Sequence, residues 1–194
     1  MLAERGVAVS YETIRQWCRK LGSDYGRRLK RQGRLGDTWY LDEAFVTING
    51  ERQYLWRAVD QDGNVIDILV QPRRDGRAAR RFFRKLLKSQ RQEPFRLVTD
   101  RRGSYRVAHR EVIPSVTHDT SRYANNRAEV SHQPTRQRKR AMRRFKSPDQ
   151  AQRFLHVHGV IRNLFRLSRH RLRVVHYRTL RTRSFAVWVA VTAA

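Results

Sequence analysis

The stretch Thr38-Trp39-Tyr40-Leu41-Asp42-Glu43-Ala44-Phe45-Val46-Thr47-Ile48-Asn49-Gly50-Glu51-Arg52-Gln53-Tyr54-Leu55-Trp56-Arg57-Ala58-Val59-Asp60 decides the fold. Thr38–Ile48 is rich in β-branched and aromatic residues, which suit a pleated, half-buried backbone. Asn49-Gly50 follows, a pair that tolerates positive φ at both positions and so favours a tight type I′ hairpin. Gln53–Asp60 then reads as the returning strand. One residue inside the first strand is out of place for a buried sheet: Asp42, flanked by Leu41 and Glu43.

Downstream, Asp62-Gly63 marks a second tight turn, and Val65–Gln71 is a third strand ended by Pro72. Gly76–Leu87 is predicted as a helix, with Ala79, Phe82, Phe83, Leu86 and Leu87 on an apolar stripe and Arg80, Arg81, Arg84 and Lys85 around it. Phe95–Thr99 is a short apolar run ending at Asp100, as a buried parallel strand would be. Tyr105–Glu111 reads as helix, Ser115–His118 as strand, Asn126 as a helix start, and Asp149–Phe165 as a long helix. Three antiparallel strands followed by alternating helices and strands predict an α/β chain with an RNase H-like fold, a mixed five-stranded sheet flanked by helices.

Upstream, Ser10 is placed to N-cap a helix in which Ile14, Trp17, Cys18 and Leu21 share one face. Glu12, Arg15, Gln16 and Arg19 then point outward, and Gly22 is expected to end the helix. The pattern fits the second half of a helix-turn-helix, with Arg15, Gln16 and Arg19 as DNA-reading candidates; a plain amphipathic capping helix fits it too. Residues 23–37 are Gly-rich, basic and aperiodic, as a linker would be. The expected organisation is residues 1–37 as a partial helix-turn-helix and basic linker, 38–170 as the α/β domain, and 171–194 as a basic tail.

Charge narrows the partners. The 194 residues hold 43 Lys+Arg against 17 Asp+Glu, a net +26. Acids gather in the middle; after residue 129, 16 basic residues face one acid, Asp149. Such a chain repels itself unless a polyanion neutralises it, so nucleic acid is the first partner to consider. No run of about 18 apolar residues is present, which argues against a membrane span. One cysteine, Cys18, excludes a disulfide framework or a Cys-rich zinc site. A cytoplasmic, nucleoid-associated protein is expected.

Three acids carry the chemistry: Asp42 in mid-strand, Asp100 at the end of Arg-Leu-Val-Thr, and Glu129 at the start of a helix. In the expected sheet the first and fourth strands are neighbours, so Asp42 and Asp100 converge, and the later helix can bring Glu129 alongside. Three carboxylates at one point repel unless a divalent cation joins them, and oxygen-only ligands favour Mg²⁺ or Mn²⁺. Each acid has a structural alternative. Asp42 could pair with Arg57 on the next strand, Asp100 could cap the following turn, and Asn126-x-x-Glu129 resembles a capping box.

Taken together, Trp39-Tyr40-Leu41-Asp42-Glu43, Asn49-Gly50-Glu51-Arg52-x-Tyr54-Leu55-Trp56-Arg57-Ala58-Val59-Asp60, Val98-Thr99-Asp100, Tyr123-x-Asn125-Asn126-x-x-Glu129-x-x-His132 and Phe145-Lys146-Ser147 resemble the small bacterial insertion-sequence DDE transposases of the replicative, cointegrate-forming type, within the integrase catalytic core superfamily. The resemblance runs from about Met1 to His170. It implies metal-dependent strand nicking and strand transfer by the freed 3′-OH, with Asp42, Asp100 and Glu129 as catalytic metal ligands. It also marks Arg136, seven positions after the glutamate. On a continuous helix His132, Arg136, Arg140 and Arg143 would share a face with Glu129 and form a phosphate-facing ridge, which Pro134 would kink. The implied partners are double-stranded DNA, as element ends and target, and further copies of the chain once DNA is bound. Relatives carry a longer helix-turn-helix region before the position of Met1, so this chain reads as N-terminally shortened. A catalytically inactive DNA-binding remnant that binds or blocks element ends is the competing reading.

Overall fold

The computed structural model describes residues 10–30, 36–121, 124–133, 145–167 and 172–193. They divide into two compact units, one built from Met1–Gly33 with Val160–Ala194 and the other from Arg34–Gly159.

The larger unit is built on a five-stranded sheet. β1 (Thr38–Ile48), β2 (Glu51–Asp60) and β3 (Val65–Gln71) form an antiparallel meander. The hairpin between β1 and β2 turns at Asn49 and Gly50, whose φ values of 50° and 81° are the left-handed pair that the sequence predicts. The buried Asp60 closes the next turn: Oδ1 accepts from the amides of Asp62 and Asn64 at 2.9 and 2.8 Å, and Oδ2 accepts from Asn64 Nδ2 at 3.0 Å. α2 (Gly76–Gln90) leads to β4 (Arg96–Val98), and α3 (Gly103–Val112) to β5 (Thr117–Asp119). β4 runs parallel to β1, and β5 parallel to β4. The resulting order, β3-β2-β1-β4-β5, is that of an RNase H-like fold, with β1 in the centre.

Helices cover both faces because β1 and β2 alternate apolar residues to each side. On one face, Trp39, Leu41, Trp56 and Ala58 pack against Ala79, Phe82, Phe83 and Leu86 of α2 and Tyr105 and Ala108 of α3. On the other, Val46, Ile48, Leu55, Val59 and Ile68 meet Ala128 of the six-residue α4 (Asn126–Ser131) and Ala151 and Leu155 of α5 (Pro148–Phe165). The edge strand β3 is tied to α5 by Gln152, whose Oε1 accepts from Val70 N at 2.8 Å and whose Nε2 donates to Ile68 O at 3.2 Å. That contact occupies ladder groups which would otherwise invite another strand.

The smaller unit differs from its sequence reading. Ser10 caps α1 (Tyr11–Lys30) as expected, its Oγ accepting from Thr13 N at 3.1 Å. Gly22 does not end the helix, which continues to Lys30 through most of the segment expected as linker. The continuation is held by Asp24, paired with Arg28 at 2.9 Å, and by burial of Leu29. Val174–Thr192, in the segment expected as a tail, forms the 19-residue helix α6. Tyr25 of α1 meets Trp188 of α6 edge-on at 6.4 Å, and Arg28 Nη1 donates to Val191 O at 3.4 Å. No helix among the described residues is long and apolar enough to cross a membrane.

Phe82 is fully buried on the α2 stripe, whereas Arg81 beside it is exposed. We expect Phe82→Ala to lower unfolding stability by about 3–5 kcal/mol and Arg81→Ala to change it by less than about 0.5 kcal/mol. Urea denaturation followed by circular dichroism checks both values.

Candidate functional site

Neighbouring acids on β1 face opposite ways. Asp42 shares its face with Tyr40, Val46 and Ile48, toward α4 and α5; Glu43 shares the other with Trp39 and Leu41, toward α2 and α3. Tyr40 pairs with Val98 in the parallel register. Asp42 and Asp100 therefore each lie two residues beyond a paired position, at the same end of adjacent parallel strands.

Around Asp42 the sheet and α4 are fastened together by side chains. Asn125 Nδ2 donates to the carbonyl of Leu41, the residue before Asp42, at 2.7 Å. At the far end of the helix the buried Arg57 guanidinium donates to the carbonyl of Ser131. Arg57 is also the cross-strand partner of Asp42. His132, only 1% exposed, brings Nε2 to 3.5 Å from Asp42 Oδ2. The sequence expects His132 on a phosphate-facing ridge; the structure puts it under the first carboxylate instead. The backbone of Glu129 lies in α4 between these fastenings. Its side chain, like that of Arg15, is outside the described residues, as are Arg136, Arg140 and Arg143 altogether. Gln16 and Arg19 are exposed on α1.

Asp100 caps the turn that follows it. Its Oδ1 accepts from Arg102 N at 3.1 Å, and Oδ2 is ion-paired with Arg102 Nε. The preceding residue is fixed as well: Thr99 Oγ1 donates to Asp100 O at 2.8 Å and lies 2.8 Å from His118 Nε2. Because the threonine proton goes to the carbonyl, the histidine is the donor in that second bond. Burial and the nearby His109 lower the His118 pKa to about 4. The imidazole is thus neutral near pH 7.

Glu43, which the strand alternation turns away from Asp42, is not idle. Its side chain is 1% exposed; Oε1 is 2.6 Å from Arg74 Nε and 3.3 Å from Arg102 Nε, and Oε2 accepts from the Tyr105 hydroxyl. Burial raises the Tyr105 pKa well above its usual value, and the charges of Glu43, Asp42 and Asp100 raise it further. Arg74, Arg102 and Tyr105 were not singled out in the sequence. A signal was present in the alternation that puts Glu43 on the face of Trp39 and Leu41, where a carboxylate requires cations. Among the described residues no three His, Cys, Asp or Glu side chains are grouped closely enough to hold a metal ion. Asp42 and Asp100 offer oxygen donors, the type that suits a hard divalent cation.

The chain is similar to known proteins. The family model of the DDE domain matches residues 36–168. The transposase for insertion sequence-like element IS431mec from Staphylococcus aureus (strain N315) is 33% identical over 145 residues, covering 72% of this chain and 64% of that protein. The transposase for insertion sequence element IS257 in transposon Tn4003, also from Staphylococcus aureus, is 32% identical over the same length with the same coverage. The chain thus spans 64% of the length of these relatives. Among solved structures, the catalytic domain of Mos1 mariner transposase aligns with 14% identity over 92% of this chain and 96% of that one, at a TM-score of 0.46.

His118 generates a prediction. Its folded pKa of about 4 lies below the unfolded value of 6.5, so between the two the unfolded state binds more protons. Stability should therefore fall as pH drops from 6.5 toward 4. His118→Gln should flatten that limb relative to wild type, as read by thermal unfolding across the pH series.

Proposed function

The chain belongs to the family of insertion-sequence DDE transposases, and on that premise we propose that it nicks DNA at element ends and transfers the freed 3′-OH to target DNA. The observation that carries the proposal is the common end of β1 and β4, where Asp42 and Asp100 stand two residues past the paired Tyr40 and Val98, beneath a helix fastened by Asn125 and Arg57.

In this reading Asp42, Asp100 and Glu129 hold Mg²⁺ or Mn²⁺, since hard divalent cations take carboxylate oxygens. Bound there, the metal would activate the attacking oxygen and stabilise the leaving one. The protein's own part is position. The central strand fixes Asp42, and the His118–Thr99 link fixes the backbone at Asp100. Asn125 and Arg57 fix the helix that carries Glu129, and His132 steadies the Asp42 carboxylate. In the first step water attacks phosphorus and the bond to the 3′-oxygen breaks, leaving a 3′-OH and a 5′-phosphate. In the second, that hydroxyl attacks a phosphodiester of the target and displaces its 3′-oxygen. Gln16 and Arg19 on α1, with Arg15, Arg136, Arg140 and Arg143, are the proposed DNA contacts. Phosphate neutralisation by such arginines makes affinity strongly salt-dependent. The protein works on double-stranded DNA at the nucleoid, as a homo-oligomer once bound.

Two assays test this: nicking of supercoiled plasmid with Mn²⁺, and 3′-OH formation on a duplex ending in the element's terminal repeats. Asp42→Asn, Asp100→Asn and Glu129→Gln should each lower both rates by at least about 10²-fold, the scale for removing one preorganised electrostatic group. Wild type as inert as all three variants would overturn the catalytic reading and favour a DNA-binding remnant.

A further inference from the structure

The hairpin beyond Asp42 carries a second feature. β4 pairs with Thr38–Tyr40, and β1 runs on past the common strand end to the turn at Asn49 and Gly50. On the face that carries Glu43, cross-strand partners form successive rows: Glu43 with Trp56, Phe45 with Tyr54, Thr47 with Arg52. α2 and α3 cover the first row, where Trp56 is fully buried. They stop short of the rest: Tyr54 is half-buried, Thr47 and Arg52 are exposed, and Phe45 is 66% exposed. We propose that Phe45 and Arg52 form a stacking platform for an unpaired base of the bound DNA, next to the proposed metal-binding carboxylates. The inference rests on the proposed function for the identity of the ligand as DNA.

Packing does not account for the ring. Val46 and Ile48, on the reverse face of the same hairpin, are buried, and Asn49 Nδ2 donates to Lys146 O at 2.6 Å. The hairpin is thus held from behind and presents Phe45 on a stiff support. The Arg52 guanidinium lies over the Phe45 ring at 5.4 Å from its centroid. An apolar protein surface that covered Phe45 would also strip water from Arg52 and leave its charge unanswered. A nucleotide offers a π-face to the ring and a phosphate to the guanidinium. The two acids of the hairpin do not compete for Arg52. Glu43 is engaged by Arg74, Arg102 and Tyr105, and Glu51, the residue before Arg52, points to the opposite face. Three residues of strand separate Phe45 from Asp42, about 10 Å, which is roughly three base pairs of duplex rise. A base stacked there would come from a frayed end beside the reacting phosphodiester. Phe95 is more exposed still, but it precedes β4, at the other end of that strand from Asp100.

Phe45→Thr separates binding from folding, because threonine keeps the strand propensity and lacks the ring. Binding is measured by fluorescence anisotropy in EDTA, so that no chemistry is needed. The probes are a duplex with a short unpaired 3′ end and the same duplex fully paired. Phe45→Thr should weaken binding to the unpaired end by about fivefold to a hundredfold, one stacked base's worth, and to the paired duplex by less than about twofold. The plot of log affinity against log salt should keep its slope, since a phenyl ring neutralises no phosphate. Arg52→Gln should flatten that slope on the unpaired end by about 0.7. Phe45→Trp should bind as wild type does, and so should Phe95→Thr, the exposed aromatic control. Phe45→Thr binding the unpaired end as tightly as wild type, or losing no more than Phe95→Thr, would overturn the platform. So would altered sedimentation of the DNA-free Phe45→Thr protein with both DNA affinities intact, which would assign the ring to a contact between copies. Ring-dependent binding in a protein that does not nick would keep the platform and remove the chemistry; nicking with no ring dependence would do the reverse.

Discussion

Two acids side by side on the central strand govern this molecule. Because a strand turns successive side chains to opposite faces, Asp42 and Glu43 put one negative charge on each side of the sheet, at the end where β1 and β4 run together. Neither face can bury an unpaired carboxylate. One face answers with Arg74, Arg102 and Tyr105 around Glu43. The other answers with His132 beside Asp42, and with Arg57 opposite it fastening α4 to the sheet. The elements that bring these groups, α2 and α3 on one side and α4 on the other, are the layers of the fold itself. Neutralising β1 and assembling the domain are therefore one physical problem.

Much of this was legible in the sequence where local chemistry decides the outcome. Asn49-Gly50 takes positive φ at both positions because those residues tolerate it at low cost, and the β1–β2 register follows. The stripe of Ala79, Phe82, Phe83 and Leu86 is buried as its spacing requires. The smaller unit was harder to read, for reasons of pattern. Glycines at 22 and 26 weaken a helix by only about 1 kcal/mol each, which Asp24–Arg28 pairing and packing of Leu29 and Tyr25 offset. In α6 apolar side chains lie on several sides: Val174, Val175, Phe185 and Val189 are exposed while Val191 is buried. A helix with no single apolar face leaves no periodic signal.

The site was legible in part. Asp42 and Asp100 could be picked out because each interrupts an apolar run, and the register sets them at a common strand end. Glu43 could not be weighed in the same way. Its partners arrive from residues 74, 102 and 105, and no spacing rule connects those positions to a strand at 43. His132 shows the opposite error. Helical periodicity aligned it with downstream arginines, but the imidazole is buried, with Nε2 3.5 Å from the partly exposed Asp42 carboxylate.

The same reasoning sharpens what the net charge of +26 means. Counted along the chain, the central segment looks the most balanced, because most of the acids fall there. Several of those acids are inside: Glu43 with its arginines, Asp60 in the turn between β2 and β3, and Asp67 against Lys85. A carboxylate enclosed by donors projects little field into solvent, whereas Arg77, Arg81, Arg84 and Lys88 on the outer face of α2 project all of theirs. Folding thus encloses three of the central acids while leaving these four basic side chains at the surface. Other acids stay at the surface, and those at the end of β1 and β4 are partly exposed. Asp42 and Asp100 retain 17% and 28% exposure, so negative charge reaches solvent there inside a positive surround. Under the proposed function, such a surround would draw in a polyanion, and the acids at its centre would meet a cation arriving with it.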